Sequence, residues 1–296
     1  MVLRVKKVYV ISGATATGKS AFGALFAKKI GGEVVSADSM QIYRFMDIGT
    51  AKPTCDEKLG VPHHMLSIVM PWEDYSVARY VRDASGVIDD IHNRGKTAVI
   101  VGGTGLYIDS LLSGRFFSLR GDDKLRKKIE LEYDMHGGEA MLRKLHDVDA
   151  ISASKLHSND KKRIVRALEV FQTTKKPISQ HDLESKSMPP RYDAVKFALN
   201  ISDRDLLYSR IDKRVDKMID MGLEQEVREL LDMGVAPDST SMQAIGYKEM
   251  VLAIDGKCTM TEAIDKIKLE SRRYAKRQLT WLRSKDYLEL RVEDIQ

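Results

Sequence analysis

Cysteine is scarce: Cys55 and Cys258 are the only two in the chain. They stand far apart and outside any Cys-x-x-Cys or Cys/His spacing. That excludes a disulfide scaffold and a zinc module and points to unpaired thiols in a reducing compartment. Long hydrophobic runs are also missing. No stretch reaches the roughly 18–20 apolar residues of a membrane span, so no membrane association is expected. Neither sign of charge dominates: 48 basic against 43 acidic residues leave +5. The net charge therefore demands no nucleic acid, and the placement of the cations matters more than their sum. Internal repeats and low-complexity tracts are absent. Met1 to Ser12 is basic and then apolar, but too short for a secretory signal, and it runs straight into a glycine-rich loop. A cytoplasmic protein is the expectation.

What is present is an alternation of short β-rich runs and helical stretches. Val8-Tyr9-Val10-Ile11 reads as a buried strand entering a turn, Ser20 to Ile30 as a helix stopped by Gly31-Gly32, and Glu33 to Ser36 as a second strand. Val81 to Arg94 predicts a helix, and Ala98 to Val101 a third strand cut off by Gly102-Gly103. Strand–helix alternation of this kind predicts an α/β fold, a mostly parallel sheet flanked by helices. Ligands of such sheets bind at the carboxyl ends of the strands. The loops starting at Gly13, Ala37 and Gly102 should therefore converge on one site. From about residue 118 to 194 strand signals give way to charged, helix-favouring sequence, with helices expected at Asp123–Tyr133, Gly138–Leu145 and Asp160–Phe171. This divides the chain into a core (1–117), a helical insertion (118–194) and a second part of the core (195–296). The last part carries a strand near Val195–Leu199, a helix over Arg204–Met221, a helix over Thr261–Ser284 and a final strand near Tyr287–Val292.

Gly13-Ala14-Thr15-Ala16-Thr17-Gly18-Lys19-Ser20 matches the phosphate-loop pattern G-x4-G-K-[ST], and it has the strand before and helix after that the motif requires. The glycines let backbone N–H groups turn inward around a phosphate, and the helix N-terminus adds partial positive charge. Lys19 is suited to neutralise terminal phosphate oxygens and Ser20 to ligate Mg2+. The motif specifies a polyphosphate, and a diphosphate ester fits it as well as ATP. Val34 to Asp38 reads as a strand with a carboxylate at its end, where Asp38 can hold Mg2+ through water, act as a base, or cap the next helix. In Val101-Gly102-Gly103-Thr104-Gly105, the glycines permit close backbone approach and Thr104 offers a hydroxyl.

Taken together, these segments resemble one family. The phosphate loop, Asp-Ser-Met-Gln-Ile-Tyr at 38–43, Ile-Gly-Thr-Ala-Lys-Pro at 48–53, Pro-His-His at 62–64 and Val-Gly-Gly-Thr-Gly-Leu-Tyr at 101–107 resemble the tRNA dimethylallyltransferases, also called tRNA isopentenyltransferases. The likeness continues at 166–170, 243–249 and 272–283, and so runs nearly the whole chain. Ala14 and Thr17 stand where that family usually has Pro and Ser. No C-terminal zinc-finger extension like that of some members is expected.

The resemblance implies a reaction: dimethylallyl diphosphate donates its five-carbon group to N6 of the adenine immediately 3′ of the anticodon in tRNA, diphosphate leaves, and Mg2+ assists. It implies that Asp38 is the general base and that Thr104 contacts tRNA near the reacting centre. It also implies that Asp38, Ser39, Met40 and Gln41 grip the flipped base, and that Arg126, Lys162, Arg163, Ile164, Val165 and Arg166 contact tRNA. On this reading the catalytic residues are Asp38, Thr104 and Lys19. Gly13 to Ser20 hold the donor with Arg166 and Arg210, and Ser20 holds the metal. The expected partners are the anticodon stem-loop and the donor, with the protein acting as a monomer.

Other segments stay open on the residues alone. Lys161-Lys162-Arg163 and Arg166 can clamp diphosphate or RNA, or form a solvated helix face. Arg210 and Arg214 lie one turn apart, but Asp212 and Asp216 interleave with them, so reach to the diphosphate and surface pairing are both open. Ser271 to Lys285 carries Arg272, Arg273, Lys276, Arg277, Arg283 and Lys285 among Tyr274 and Trp281 with no acid until Asp286, a composition suited to RNA. His63-His64 lack a third ligand and read as loop-positioning residues. Met218, Met221, Met233 and Met250 read as core filler. A small-molecule kinase and a non-catalytic RNA-binding ATPase compete with the transferase reading. So does an adenylate isopentenyltransferase, which shares the core.

Overall fold

The computed structural model describes residues 6–113 and 122–294. The chain folds as two compact units, Met1–Leu112 with Arg191–Gln296, and Ser113–Pro190. The first unit is built on strand β1 (Lys7–Gly13), helix α1 (Lys19–Lys29), β2 (Glu33–Ser36), a short β3 (His63–His64), α2 (Val77–Asn93), β4 (Ala98–Val101) and α3 (Gly105–Leu112). The six strands of the sheet run in the order β3-β2-β4-β1-β5-β6, where β5 is Asp193–Asn200 and β6 is Leu288–Arg291. Every pairing is parallel, with Val8 opposite Ala98 and Ala194, and Val34 opposite Val99. Val8, Val10, Val35, Ala98 and Ile100 point into one core, and Ile11, Val34, Val99 and Val101 into another. A parallel sheet buried on both faces has this continuous apolar character.

Helix α2 begins a turn earlier than the sequence reading, because Ser76 caps it by accepting the Arg79 N–H. The His63-His64 pair is an edge strand. His64 Nε2 lies 2.7 Å from Glu33 Oε2, and His63 Nδ1 lies 2.9 Å from the Val61 carbonyl.

After β5, helix α8 (Arg204–Asp220) buries Leu207, Ile211 and Val215 one turn apart and ends at Gly222. Helices α9 (Leu223–Asp232) and α10 (Tyr247–Ile254) follow, then α11 (Met260–Arg283), which starts at a Thr259–Glu262 capping box. Helices α3, α9 and α10, which run 8–10 residues, are additions to the elements expected from the sequence. Met250 is buried, but Met221 and Met233 are 52% and 43% exposed because each sits at the end of a helix. The core-filler reading is therefore wrong for those two. Cys55 and Cys258 are free thiols. No helix among the described residues is long and apolar enough to cross a membrane.

The second unit contains α4 (Asp123–Val148, broken at Gly137), α5 (Ala150–Ala153), α6 (Lys161–Thr174) and α7 (Ile178–Ser187). Ile129, Met141, Leu145, Ile164 and Leu168 form its core. The expected boundary at 117/118 lies outside the described residues. At the other end, residues 191–194 leave the insertion for the first unit: Tyr192 is buried in that core, and Asp193 and Ala194 pair with Lys7 and Val8.

Candidate active site

The strand order sets the carboxyl ends of β2, β4 and β1 side by side, and the three loops leaving them are stitched together. The Ser12 hydroxyl donates to the Gly102 carbonyl (2.9 Å), and the Thr104 N–H to the Ala37 carbonyl (3.2 Å). The Ser39 N–H donates to Thr104 Oγ1 (3.1 Å). In the phosphate loop, Ala16 (φ 65°) and Gly18 (φ 85°) take the left-handed conformation, which turns successive amides toward one point. A side chain at Gly18 would be strained there. Thr17 is buried and its hydroxyl donates to the Ala14 carbonyl, an internal brace of the loop. Lys19 Nζ donates to the same carbonyl at 3.2 Å. Burial, reinforced by Arg214 and opposed by Asp38, lowers the Lys19 pKa to about 8. The Ser20 hydroxyl makes no hydrogen bond among the described residues.

Asp38 divides its two oxygens between two tasks. Oδ1 accepts the N–H groups of Met40 (2.9 Å) and Gln41 (3.3 Å), the turn-capping role. Oδ2 has no hydrogen-bond partner among the described residues and is available to a ligand. Gln41 is buried, and its amide is spent inside the loop. Nε2 donates to the carbonyls of Thr50 and Ala51, and Oε1 accepts the Ser36 hydroxyl. It shapes the 36–51 loop while lining the phosphate-side cavity.

That loop is held from behind by Glu226, a residue that sequence reasoning missed. Its carboxylate accepts the N–H groups of Asp47 (2.8 Å), Ile48 (2.8 Å) and Gly49 (3.1 Å) and the Tyr247 hydroxyl (2.6 Å). Lys52 fastens the other side through the Tyr43 carbonyl, the Ser67 hydroxyl and Asp47.

Two cavities open here. One, about 300 Å3, is lined by Lys19, Ser20, Asp38, Lys52, Arg214 and Gln278. The other, about 340 Å3, carries Ile211, Val215, Ala244, Ile245 and Ile267 with Lys248 and Arg277. Thr15, Asp38, Arg214, Met218 and Tyr274 line both. Asp38 thus stands where a chamber facing the phosphate loop meets a second one that mixes aliphatic side chains with Arg214, Lys248 and Arg277.

Between the two arginines of α8 the structure makes a choice. Asp212 and Asp216 are taken by Arg272 (2.6 Å) and Lys268 (2.5 Å) on α11, so neither neutralises its neighbours on α8. Arg214 is half-buried and lines both cavities, and desolvation there lowers its pKa. Arg210 is exposed, with its guanidinium near Gly18 at the rim of the loop. Of the basic residues after Ser271, Arg272, Arg273 and Lys285 pair with Asp212, Glu270 and Asp109. Lys276, Arg277 and Arg283 have no carboxylate partner among the described residues. Trp281 packs inward and donates its indole N–H to Asp109 (3.0 Å). Tyr274 faces the cleft under the Arg277 guanidinium, 5.7 Å above its ring.

In the second unit, Lys162 and Arg163 are exposed and, with Arg166, line a cavity of about 550 Å3. Arg126 and Arg166 bind the buried Glu169. Ile164 and Val165 are 0% and 2% exposed, in that unit's core. Their side chains cannot touch a ligand, which corrects the expected contact: they share α6 with the basic residues but sit on its opposite face.

A phosphate loop on a parallel sheet, with a carboxylate at the junction of two chambers, defines a P-loop enzyme acting on a phosphate ester. The family model for IPP transferase matches residues 41–285, and that for isopentenyl transferase residues 6–66. The chain is 48% identical to the tRNA dimethylallyltransferase of Caldanaerobacter subterraneus subsp. tengcongensis, over 95% of this chain and 90% of the relative. It is 49% identical to that of Carboxydothermus hydrogenoformans, over 94% and 89%. Among solved structures it is similar to the full-length tRNA isopentenylpyrophosphate transferase of Bacillus halodurans (TM-score 0.72, 42% identity, 97% of this chain and 90% of that one). It is also similar to a eukaryotic dimethylallyltransferase acting on tRNA (TM-score 0.84, 31% identity, 98% and 74%). The chain belongs to the IPP transferase family.

Proposed function

We propose that this chain transfers the dimethylallyl group of dimethylallyl diphosphate to N6 of the adenine immediately 3′ of the anticodon in tRNA, releasing diphosphate. The observation that carries the reading is the position of Asp38 between a chamber that holds Lys19, Ser20 and Arg214 of the phosphate side and a second chamber that combines aliphatic side chains with Lys248 and Arg277. Each volume reaches the low end of the usual range for small-molecule pockets, about 300–1,000 Å3. The diphosphate lies against the phosphate-loop amides, Lys19 and Arg214. The adenine, extruded from its loop at a cost of a few kcal/mol, approaches from the other side.

N6 attacks C1 of the allyl group and the C1–O bond breaks. The electron pair leaves on diphosphate, and the N6 proton passes to Asp38 Oδ2. Lys19 and Arg214 meet the charge developing on the leaving group, in a cleft where burial makes such interactions count for more than in water. Ser20 is the residue that would hold Mg2+. Its hydroxyl has no competing partner, and Mg2+ is commonly bound by one or two protein groups with the remaining ligands from phosphate and water. When bound, the ion supplies further neutralisation of the diphosphate. Ser39 lines the acceptor side and is held there by Thr104, and Lys276 and Arg277 on α11, without a carboxylate partner among the described residues, supply cations for RNA phosphates. The protein acts as a monomer.

The test is incubation with a tRNA carrying the target adenine, dimethylallyl diphosphate and Mg2+, followed by mass spectrometry of the digested nucleosides. Dimethylallyl adenosine at the target position is expected, with none when ATP replaces the donor. Prenylation of free AMP but not of tRNA would move the reading to a nucleotide-directed enzyme, and no transfer to either would refute it.

A further inference from the structure

Gln278 joins the donor side of the cleft to the acceptor side. It lies on α11 and is 6% exposed. Its Oε1 accepts the Thr15 N–H of the phosphate loop at 2.8 Å, and its Nε2 donates to the Gly103 carbonyl at 3.0 Å. One side-chain amide, with its two ends used in opposite senses, therefore ties the loop after β1 to the loop after β4. A Cβ on Gly103 would come within 2.1 Å of Gln278 Nε2, so the approach requires glycine at 103. The next residue, Thr104, accepts the Ser39 N–H beside Asp38. Helix α11 is itself anchored at several points: Arg272 to Asp212 and Lys268 to Asp216 on α8, and Trp281 to Asp109 on α3.

We infer that Gln278 is a positioning residue for the transfer, fixing the spacing between the phosphate loop and the Thr104–Asp38 side of the cleft through the Thr15 N–H and the Gly103 carbonyl. This rests on the function proposed above. The Thr15 amide is then already engaged, and the diphosphate is left to the amides that follow. Positioning of this kind acts on kcat, because in-line attack tolerates misplacement of only a fraction of an ångström. Substrate affinities, set by Lys19, Arg214 and the cations of α11, change little. The groups around Gln278 in the cavity are Lys19, Asp38, Arg214 and Tyr274.

The test uses Gln278→Met, which keeps the volume and removes both bonds, and Gln278→Glu, which keeps an acceptor for Thr15 and loses the donor to Gly103. Single-turnover rates are measured at saturating donor and tRNA, with the KM of each. For Gln278→Met, kcat should fall about ten- to hundredfold while the tRNA KM stays within about twofold. Gln278→Glu should recover part of that kcat at a higher donor KM, since its charge opposes the diphosphate. An unchanged kcat, a loss confined to KM, or a Glu variant no better than Met would overturn the inference. Because a variant can fail to fold, the wild-type enzyme supplies a second reading: the Thr15 amide, followed by NMR hydrogen exchange without ligand, should be protected. Exchange at the rate of an open loop would also overturn it. Failure of the wild type to modify tRNA at all would instead count against the proposed function.

Discussion

Donor affinity should fall as pH rises above 8, through Lys19 alone. In the free protein its ammonium titrates at about 8 rather than 10.5, because burial and Arg214 disfavour the charge more than Asp38 favours it. A bound diphosphate supplies the opposite charge that is missing and returns the group toward its ordinary value. Above pH 8 the free enzyme has lost the proton and the complex retains it, so binding must take one up. Below pH 8 affinity is flat. Between 8 and 10.5 it falls by up to about tenfold per pH unit. At pH 9 only about one free molecule in eleven carries the charge, so affinity should be about tenfold weaker than at pH 7. Stability moves the other way over the same window. The unfolded chain binds this proton more tightly than the folded one, so the ligand-free protein gains stability as pH rises from 8 to 10.5. The assay is calorimetric titration of an unreactive thiolo analogue of the donor into the free enzyme. Buffers of different ionisation enthalpy count the protons, and Lys19→Arg serves as the always-charged control. Parallel pH profiles for wild type and Lys19→Arg would refute the argument.

Asp38→Asn keeps an oxygen for the Met40 and Gln41 amides and removes the base. Single-turnover transfer should slow about 10²–10⁴-fold with stem-loop affinity nearly unchanged, and a rate near wild type would remove Asp38 from proton transfer. Glu33 is held far below the ordinary carboxylate range, first by Arg94 and then by Lys96 and His64, against burial. Its contribution to stability is full above the unfolded value of 4.5 and is lost as pH falls below it. Glu33→Gln should cost about 2 kcal/mol in a urea melt at neutral pH, below the figure for a fully buried pair because Arg94 and Lys96 stay half exposed, and it should flatten the acid limb. Replacing Lys276 and Arg277 by Ala should lower the slope of log affinity for the stem-loop against log salt by about 1–2. An unchanged slope would place the RNA elsewhere.

The parallel sheet was legible because its strands are short apolar runs cut off by glycine, a local signal. Glu33–Ser36 and Ala98–Val101 are found where they were expected. Helices α3, α9 and α10 escaped because each is shorter than the span over which helical periodicity can be told from chance. His63-His64 form a strand only because Val34 and Val35 lie beside them, a pairing across about thirty residues that two histidines do not announce.

The site divides along the same line. The phosphate loop and Asp38 are contiguous motifs, and their chemistry follows from residue type and spacing. Glu226 and Gln278 act on loops 177–179 and 175–263 residues away, so nothing near them in sequence marks their role. Arg210 and Arg214 show why local reasoning stalls. Four residues apart on one helix, each has an acidic neighbour two positions on, and sequence alone cannot say which cation stays free. The answer comes from α11, whose Arg272 and Lys268 take Asp212 and Asp216 for themselves. That leaves Lys19 and Arg214 facing the partly engaged Asp38, with Glu57 acting on Arg214 as well, in a cleft where burial penalises both cations. Two partly desolvated positive charges that their neighbours do not fully compensate favour the arrival of an anion, and a leaving diphosphate brings the opposite charge to both.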